Sequence, residues 1–266
     1  MRAKKSLGQN FLNSKTIAHE IVRSAELSGS DTVLEIGPGK GFLTAELLKT
    51  GAHIFAIEKD DRLIPFLQEK FAEEMTKGVF TLIHDDVTNF DPHAYGLNDG
   101  AYKLIANIPY YLTGYIIRTF LETPHKPERM ILMIQKEVAD RIVARDKKES
   151  ILSIAVKAYG TPRIVKKVPA RYFTPAPNVD SAVLAIEHIS NTHFTDRKLE
   201  KLFFDIVKTG FAHKRKQLAG NLKELFGNTT STLLAQTGIS PHARAEDITL
   251  EEWLVCTKKA SALLNM

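Results

Sequence analysis

Residues 32–44 read TVLEIGPGKGFLT, an apolar run that leads through three closely spaced glycines into a helical pattern. Gly37, Gly39 and Gly41 remove side chains where the backbone must turn sharply, and they let a ligand lie against the main chain. The first turn of the following helix offers free N–H groups at the same place. The spacing is GxGxG and not the full GxGxxG of dinucleotide sites, so a glycine-rich turn without a ligand remains an alternative.

Further apolar runs and helical patterns follow this motif. The runs cover 53–59, 80–86, 102–108 and 129–135, and helices are predicted over 14–27, 42–50, 60–75, 113–122 and 136–146. Ser14 is a candidate N-cap of the first helix. Apolar strands that alternate with helices indicate βαβ units and a parallel sheet covered on both faces. The sequence therefore predicts an α/β, Rossmann-like fold.

The pattern changes after about residue 150. Two more strands are predicted over 163–168 and 181–189, around a proline-rich turn. From Thr195 onward every pattern is helical, over 196–212, 214–226, 229–237 and 250–264. We therefore predict one domain of residues 1–190 and a smaller all-helical domain of residues 191–266.

The composition is that of an ordinary globular protein, with 44% hydrophobic and 25% charged residues. A net charge of +5 favours a polyanionic partner, although a basic surface without such a partner is about equally expected. Cys256 is the only cysteine, which excludes an intrachain disulfide and a cysteine-based zinc site, and the histidines show no metal spacing. Without an apolar run of ~18 residues or a signal peptide, we expect a cytoplasmic protein that contacts no membrane and binds no metal.

Acidic side chains end the second and third of these strands. Glu58 is placed to accept hydrogen bonds from both hydroxyls of a ribose. In the pair that closes the third strand, alternation slightly favours Asp86 over Asp85 as the acceptor for an adenine amine. A divalent-cation site is the weaker alternative, because no third carboxylate with metal spacing accompanies the pair. The strand ends therefore predict a nucleoside-containing ligand, either NAD or S-adenosylmethionine (SAM).

The fourth strand ends in NIPYY at residues 107–111 and distinguishes these two ligands. The Asn107 side-chain oxygen and the Ile108 carbonyl are two acceptors, and Pro109 rigidifies the turn that holds them. Two fixed acceptors suit an adenine N6 amine, since hydrogen bonds to both N–H groups localise the nitrogen lone pair for attack on a sulfonium methyl. Tyr110 offers a face on which the base can stack. Hydride transfer with NAD would need a Tyr/Lys pair or a histidine instead. The alternative without any catalytic role is an Asn-Pro turn with packed tyrosines.

Together these motifs resemble the SAM-dependent, KsgA-type ribosomal RNA adenine-N6,N6-dimethyltransferases over nearly the whole chain. The segments that match are KKSLGQNFL (4–12), EIGPGKGFLT (35–44), the NIPYY motif and VPARYFTPAPNVDSAV (168–183). The resemblance implies that Asn10 and Leu12 contact SAM and that Phe173 helps to hold the target base. The predicted cofactor-binding residues are Asn10, Leu12, Gly37, Gly39, Glu58, Asp86 and Asn107. The predicted catalytic residues are Asn107, Ile108, Pro109, Tyr110 and Phe173.

Three later segments, NVDSAV, FAHKRKQL (211–218) and RAEDIT (244–249), resemble the small-subunit branch of the family more than the relatives that confer antibiotic resistance on the large subunit. This implies dimethylation of adenines in a loop of small-subunit rRNA, within a pre-ribosomal particle and linked to ribosome biogenesis. Many relatives have Asn where this chain has Tyr111. The alternatives are a non-catalytic assembly or transcription factor on the same fold, an NAD-dependent oxidoreductase, and a DNA adenine methyltransferase.

Basic residues cluster at several places that bracket the predicted pocket in sequence. Contacts of such residues with phosphates would position RNA without reading bases, although each cluster alone could be a solvated face. The target adenine must leave its stack, which favours a loop as substrate. We expect a monomer whose helical domain docks folded RNA. The predicted RNA-binding residues are Lys4, Lys5, Arg141, Lys147, Lys148, Arg171, Lys214, Arg215 and Lys216.

Overall fold

A computed structural model describes residue 4 and residues 7–264 of the chain, and it divides into two compact units. The first unit is Met1–Ala139 with Thr161–Ile189, and the second is Asp140–Gly160 with Ser190–Met266. This division differs from the predicted domains in residues 140–160 and in Ser190, which were expected in the first domain. They belong to the second unit because the Tyr159 ring stacks on Phe204, with centroids 5.9 Å apart, and because the Ser190 amide donates to the Tyr159 carbonyl over 2.8 Å.

The first unit contains a seven-stranded sheet in which every predicted apolar run forms a strand. Its order is β4-β3-β2-β5-β6-β9-β7. Strands β2 to β6 are parallel, whereas β9 runs antiparallel to both β6 and β7. A short antiparallel ladder of β1 with β8 lies apart from this sheet and was not predicted. The strands are β1 (Phe11–Leu12), β2 (Thr32–Ile36), β3 (His53–Glu58), β4 (Phe80–His84), β5 (Lys103–Asn107), β6 (Arg129–Gln135), β7 (Thr161–Val168), β8 (Phe173–Thr174) and β9 (Ser181–Glu187).

Six helices form within the first 146 residues, and they agree with the predicted helices with one exception. The prediction of a single helix over 60–75 is wrong, because the chain forms α3 and α4 with a break at Phe71. Pro65, which is tolerated in a first helical turn, marks the true start of α3. Ser14 is the N-cap of α1, as predicted, and its hydroxyl accepts from the Ile17 amide. The helices are α1 (Lys15–Ala25), α2 (Phe42–Leu48), α3 (Ile64–Lys70), α4 (Ala72–Thr76), α5 (Thr113–Glu122) and α6 (Lys136–Ile142).

The strand order places β2 between β3 and β5. In an open parallel sheet, a ligand binds beyond the carboxyl ends of the strands, where the strand order reverses. The glycine loop after β2 and the NIPYY motif after β5 therefore lie side by side, and a Cβ on Gly37 would lie 4.0 Å from the Asn107 carbonyl oxygen. The central strands that hold these motifs are buried on both faces, since Leu104 and Ile105 are both inaccessible to solvent.

The regular structure of the second unit is helical throughout the residues that the structure describes. Its core includes the fully buried Phe203, Leu222 and Trp253. Helix α7 was not predicted; it begins with a capping box between Ser150 and Ser153. Across the described ranges, no helix is both long and apolar enough to cross a membrane. The helices are α7 (Ile151–Lys157), α8 (Arg197–Gly210), α9 (Leu218–Phe226), α10 (Thr230–Thr237) and α11 (Leu250–Leu264).

Candidate active site

A cavity of about 520 Å³ lies within the first unit, beyond the carboxyl ends of β2, β3, β4 and β5. Its volume is typical of a small-molecule or cofactor site. The N-terminal segment (residues 7–13), the glycine loop and the NIPYY motif all line it. Every residue predicted to bind cofactor or to act in catalysis lines this one cavity: Asn10, Leu12, Gly37, Gly39, Glu58, Asp86, Asn107, Ile108, Pro109, Tyr110 and Phe173.

The glycine loop (residues 37–41) forms the floor of the cavity beside β3. The Gly37 amide donates to the Ile57 carbonyl over 2.9 Å, so the loop remains tied to the end of β3. Gly39 has φ +60°, and a Cβ there would lie 3.0 Å from the Phe11 ring. Both the backbone conformation and the nearby ring therefore require glycine at position 39.

Glu58 ends β3 and is only 6% exposed. One carboxylate oxygen accepts a hydrogen bond from the Gly39 amide over 3.1 Å, and the other accepts from the Asp60 amide over 2.8 Å. Burial raises the pKa of Glu58, and the amide hydrogen bonds oppose that shift. Each carboxylate oxygen has capacity for a second donor, so the side chain can hold the loop and a ligand diol together.

Asp86 lines the cavity two residues after the end of β4. Its carboxylate forms an ion pair with Lys59 and accepts from the Thr88 amide. Burial acts to raise the pKa of Asp86, but the Lys59 ammonium and the Thr88 amide outweigh it and hold that pKa below its usual value. Asp85 accepts instead from the Asp86 amide over 2.7 Å. In the described part of the chain, no group of three or more His, Cys, Asp or Glu is arranged to hold a metal ion.

Asn107 and the turn after it face the same cavity from β5. The Asn107 side-chain N–H donates to the main-chain carbonyl of Asn10 over 3.2 Å, which orients the amide and leaves its oxygen as the acceptor. The half-buried Tyr110 shares a hydrogen bond of 2.8 Å with the hydroxyl of Ser181. Burial raises the pKa of Tyr110, so the phenol stays neutral. The Tyr110 ring is therefore held in place close in sequence to the two predicted acceptors, the Asn107 side-chain oxygen and the Ile108 carbonyl.

The β1–β8 ladder also lines the cavity, where the Phe11 ring of β1 lies against Gly39 of the glycine loop. Leu12 pairs with Phe173 and Phe11 with Thr174. Phe173 is buried at 4% exposure. The Asn13 side-chain N–H also donates to the Thr174 hydroxyl over 3.0 Å, a contact between residues 161 positions apart in the chain. The ladder therefore explains how an N-terminal segment and a much later motif contribute to one site.

Glu35 and Lys70 are among the cavity residues that the sequence interpretation missed. Glu35, inside β2, is 1% exposed, and its carboxyl accepts from the Thr44 hydroxyl over 2.7 Å. Burial raises the pKa of Glu35 to about 8. The Lys70 ammonium donates to the carbonyls of Lys40 and Gly41 over 2.8 and 3.0 Å, which braces the glycine loop from α3. A charge within an apolar run was an available signal for Glu35, whereas nothing local in the sequence indicates the Lys70 contacts.

The predicted RNA-binding residues that the structure describes are exposed, and they fall in both units. Lys4 and Arg171 belong to the first unit, where the Arg171 guanidinium lies 5.1 Å from the centre of the Tyr172 ring. In the second unit, Lys148 forms ion pairs with Asp247 and Glu246. Lys5 lies outside the described residues. The others, all exposed in the second unit, are Arg141, Lys147, Lys214, Arg215 and Lys216.

The three consecutive basic residues 214–216 occupy an exposed turn, which is why the predicted helix over 214–226 begins only at Leu218. A buried amide holds the base of this turn. The Asn221 side-chain N–H groups donate to the carbonyls of Gly210 and His213, over 2.5 and 3.2 Å. The turn therefore presents its cations from a fixed backbone.

The cavity groups fit an adenosine-containing ligand such as SAM. A buried carboxylate suits a ribose diol, a second carboxylate suits an exocyclic amine, and a glycine loop without side chains allows close approach of the ligand to the main chain.

Comparisons with known proteins agree with this chemistry. The sequence model of the ribosomal RNA adenine dimethylase family matches residues 1–261. A relative from Dehalococcoides mccartyi (strain CBDB1), named ribosomal RNA small subunit methyltransferase A, is 42% identical over 258 residues, which are 95% of this chain and 87% of the relative. The crystal structure of the 23S rRNA methyltransferase ErmE has a TM-score of 0.77 at 25% identity and covers 95% of this chain and 100% of its own. A dimethyladenosine transferase from Plasmodium falciparum shares the fold, with a TM-score of 0.76, 22% identity and coverage of 94% and 98%.

Proposed function

The chain belongs to the ribosomal RNA adenine dimethylase family, and on that premise we propose that it dimethylates the N6 amine of adenines in a loop of small-subunit rRNA. The small subunit is favoured over the large because the 42% identical relative is named for the small subunit, whereas the 23S enzyme is only 25% identical. The observation that carries the proposal is the shared cavity of Asn107, Gly37 and Glu58. A common cavity supports the proposal because the proposed acceptors of the target amine would then lie beside the proposed nucleoside site.

The cofactor side of the cavity is assigned to the glycine loop and to the two acidic strand ends. SAM, when bound, supplies an electrophilic methyl on its sulfonium. Glu58 would accept from the ribose hydroxyls, and Asp86 would accept from the adenine amine while keeping its ion pair with Lys59. Gly37 and Gly39 would let the ligand lie on the main chain, and Asn10 and Leu12 would close over it from the N-terminal segment.

The catalytic side is assigned to the NIPYY motif. Asn107, through its side-chain oxygen, and Ile108, through its carbonyl, would each accept one N–H of the target amine, which localises the nitrogen lone pair toward the methyl. Pro109 fixes the spacing of the two acceptors. Tyr110 and Phe173 would hold the base by stacking. No strong base is needed, because the nitrogen becomes acidic only after it gains the methyl.

The second methyl transfer makes a different demand on the same acceptors. A monomethylated amine retains one N–H, so it can no longer satisfy both acceptors together. The Asn107 oxygen is held by the contact of its amide with Asn10, and we expect it to serve in both steps.

The second unit is assigned to RNA docking. Its exposed basic residues would contact phosphates and position the RNA, with the turn at 214–216 as the most concentrated group. The target adenine must be unstacked to reach the cavity, which favours a loop. A pre-ribosomal particle as substrate, a monomeric state and a cytoplasmic location remain predictions.

A methylation assay with mapped products tests the function. The purified protein is incubated with labelled SAM and small subunits that lack the modification, and the labelled nucleosides are then identified and located by mass spectrometry. We expect label on N6 of loop adenines as the dimethylated base. Binding to the subunits without transfer would favour the non-catalytic assembly factor, and label on another atom would exclude the proposed chemistry.

A further inference from the structure

Tyr111 is a large aromatic side chain that the proposed mechanism does not use. It is 63% exposed, more than any other exposed large hydrophobic side chain in the described residues, and it still lines the cavity. Its neighbour Tyr110 differs, since Tyr110 is half-buried and its hydroxyl is bonded to Ser181. An exposed aromatic ring at the mouth of a ligand cavity has apolar area that a ligand can cover.

The Tyr111 ring is held in place before any ligand binds. Residues Tyr110–Leu112 form a 3₁₀ turn in which the Leu112 amide donates to the Pro109 carbonyl over 2.9 Å. A Cβ on Gly8 would lie only 3.2 Å from the ring, and 3.4 Å from the Pro109 side chain. The ring edge therefore rests against Gly8, and ordering the ring adds little to the entropic cost of binding.

The surface behind this ring is itself anchored at the end of β3. The Gln9 side chain donates to the Asp60 carboxylate over 2.9 Å, which ties the N-terminal segment to the residues just after Glu58. Asp60 is buried, and Arg62 forms an ion pair with it. Gly8, on which Tyr111 rests, therefore belongs to a fixed wall beside the proposed ribose site.

Tyr111 lines the same cavity as the residues at the other end of the proposed adenosine site. At that end, the Lys59 ammonium forms an ion pair with the Asp86 carboxylate. Lys59 and Asp86 both line the cavity. Tyr111 thus shares the cavity with the residue pair that the proposed function assigns to the cofactor adenine.

From these contacts we propose that Tyr111 covers the adenosine end of bound SAM, with its ring packed on the nucleoside between Gly8 and the Lys59–Asp86 pair. This inference rests on the proposed function, since it needs the cofactor to occupy the Glu58 and Asp86 side of the cavity. Tyr111 is then a binding residue for the cofactor and not for RNA. A stack on an RNA base that flanks the target is the competing role.

Binding measurements without catalysis test this role. Calorimetry would compare S-adenosylhomocysteine and 5′-methylthioadenosine, which lacks the amino-acid end, on the wild type, Tyr111→Ala and Tyr111→Phe. We expect Tyr111→Ala to weaken both ligands by a similar factor of about 10, and Tyr111→Phe to change them by less than about twofold. Tyr95→Ala removes a tyrosine that is 39% exposed and does not line the cavity, and it should leave both affinities unchanged.

A second variant tests the contact itself. Gly8→Ala would push the ring from its place, so it should weaken 5′-methylthioadenosine in the wild-type background and have less effect when combined with Tyr111→Ala. Unchanged affinities in Tyr111→Ala, or a loss for S-adenosylhomocysteine alone, would overturn the inference. So would a loss of affinity for a small-subunit rRNA hairpin with the ligand affinities intact, because the ring would then serve RNA. A wild type that binds neither ligand would instead refute the proposed function itself.

Discussion

The side-chain amide of Asn107 donates a hydrogen bond to the main-chain carbonyl of Asn10, 97 residues earlier in the chain. The N-terminal segment thus orients the side chain that accepts a hydrogen bond from the target amine in the proposed mechanism. The same segment pairs through Leu12 with Phe173. The residues proposed to contact the cofactor, the residues proposed to hold the base and the acceptor amide are therefore parts of one connected wall.

Removal of the acceptor amide should impair both methyl transfers. Asn107→Ala deletes the side-chain oxygen, and we expect the rate of each step to fall by about 100-fold or more, by analogy with the loss of one preorganised hydrogen-bond partner of a reacting group. Single-turnover assays with labelled SAM and unmethylated small subunits would resolve the two steps. Asn191→Ala, at an exposed position of the second unit, is the matched control. Near-normal transfer by Asn107→Ala would refute the assigned role.

Glu58→Gln should reduce the free energy of cofactor binding more than it reduces the free energy of unfolding. The amide that replaces the carboxylate turns an NH₂ group toward either the Gly39 or the Asp60 amide, so one donor loses its acceptor. We expect the Kd of S-adenosylhomocysteine to rise about 10-fold or more by calorimetry. Glu69→Gln changes an exposed glutamate of α3 and should leave that Kd unchanged. Equal affinities in both variants would argue against a ligand contact of Glu58.

A comparison of two glycine substitutions distinguishes the effect of backbone strain from the effect of a side chain that obstructs the cofactor site. Gly39→Ala places a Cβ 3.0 Å from the Phe11 ring at φ +60°, whereas Gly78→Ala meets nothing within 4 Å at φ +71°. Both changes should cost about 1–2 kcal/mol of stability from the left-handed backbone, as measured by denaturant unfolding. Only Gly39→Ala should also weaken S-adenosylhomocysteine. A similar loss of affinity in Gly78→Ala would mean that strain alone explains the effect.

Glu35 should make stability depend on pH. Its pKa is raised from 4.5 to about 8 in the folded state, so the folded protein binds more protons than the unfolded chain between these values. The free energy of unfolding should therefore fall as pH rises through this window, by at most about 1.4 kcal/mol per pH unit from this group. Glu35→Gln cannot ionise and should gain stability relative to the wild type between pH 5 and 9. A difference that stays constant over this range would contradict the buried, protonated carboxyl.

The basic turn should contribute to RNA affinity through charge. Lys214→Ala and Arg215→Ala should each weaken binding to small-subunit rRNA and reduce the slope of log K against log salt by about 0.7–0.9 per lost phosphate contact. Lys258→Ala and Lys259→Ala remove exposed charges from α11 in the same unit. If the α11 variants reduced the slope of log K against log salt equally, the overall charge of the unit would explain RNA binding, and the turn at 214–216 would have no specific role.

Local patterns in the sequence were sufficient for the elements that hold the site. Periodicity located the strands that end at Glu58 and Asn107, because side-chain alternation and helical spacing are properties of a few consecutive residues. The helix over 60–75 was misjudged because the apolar pattern continues across Phe71, where the backbone breaks. Helix α7 was missed because seven residues give little periodicity, although its Ser150–Ser153 box was visible.

By itself, the sequence determined an α/β chain with a nucleoside-type glycine loop, two acidic strand ends and an amide-proline motif, because each is encoded by neighbouring residues. Only the tertiary structure decided that β2 lies beside β5, that Phe173 pairs with Leu12, and that Lys70 braces the glycine loop. It also decided that residues 140–160 join the second unit. These relationships join residues far apart in the chain, and they are fixed by which buried faces and hydrogen-bonding groups satisfy one another when the whole chain folds.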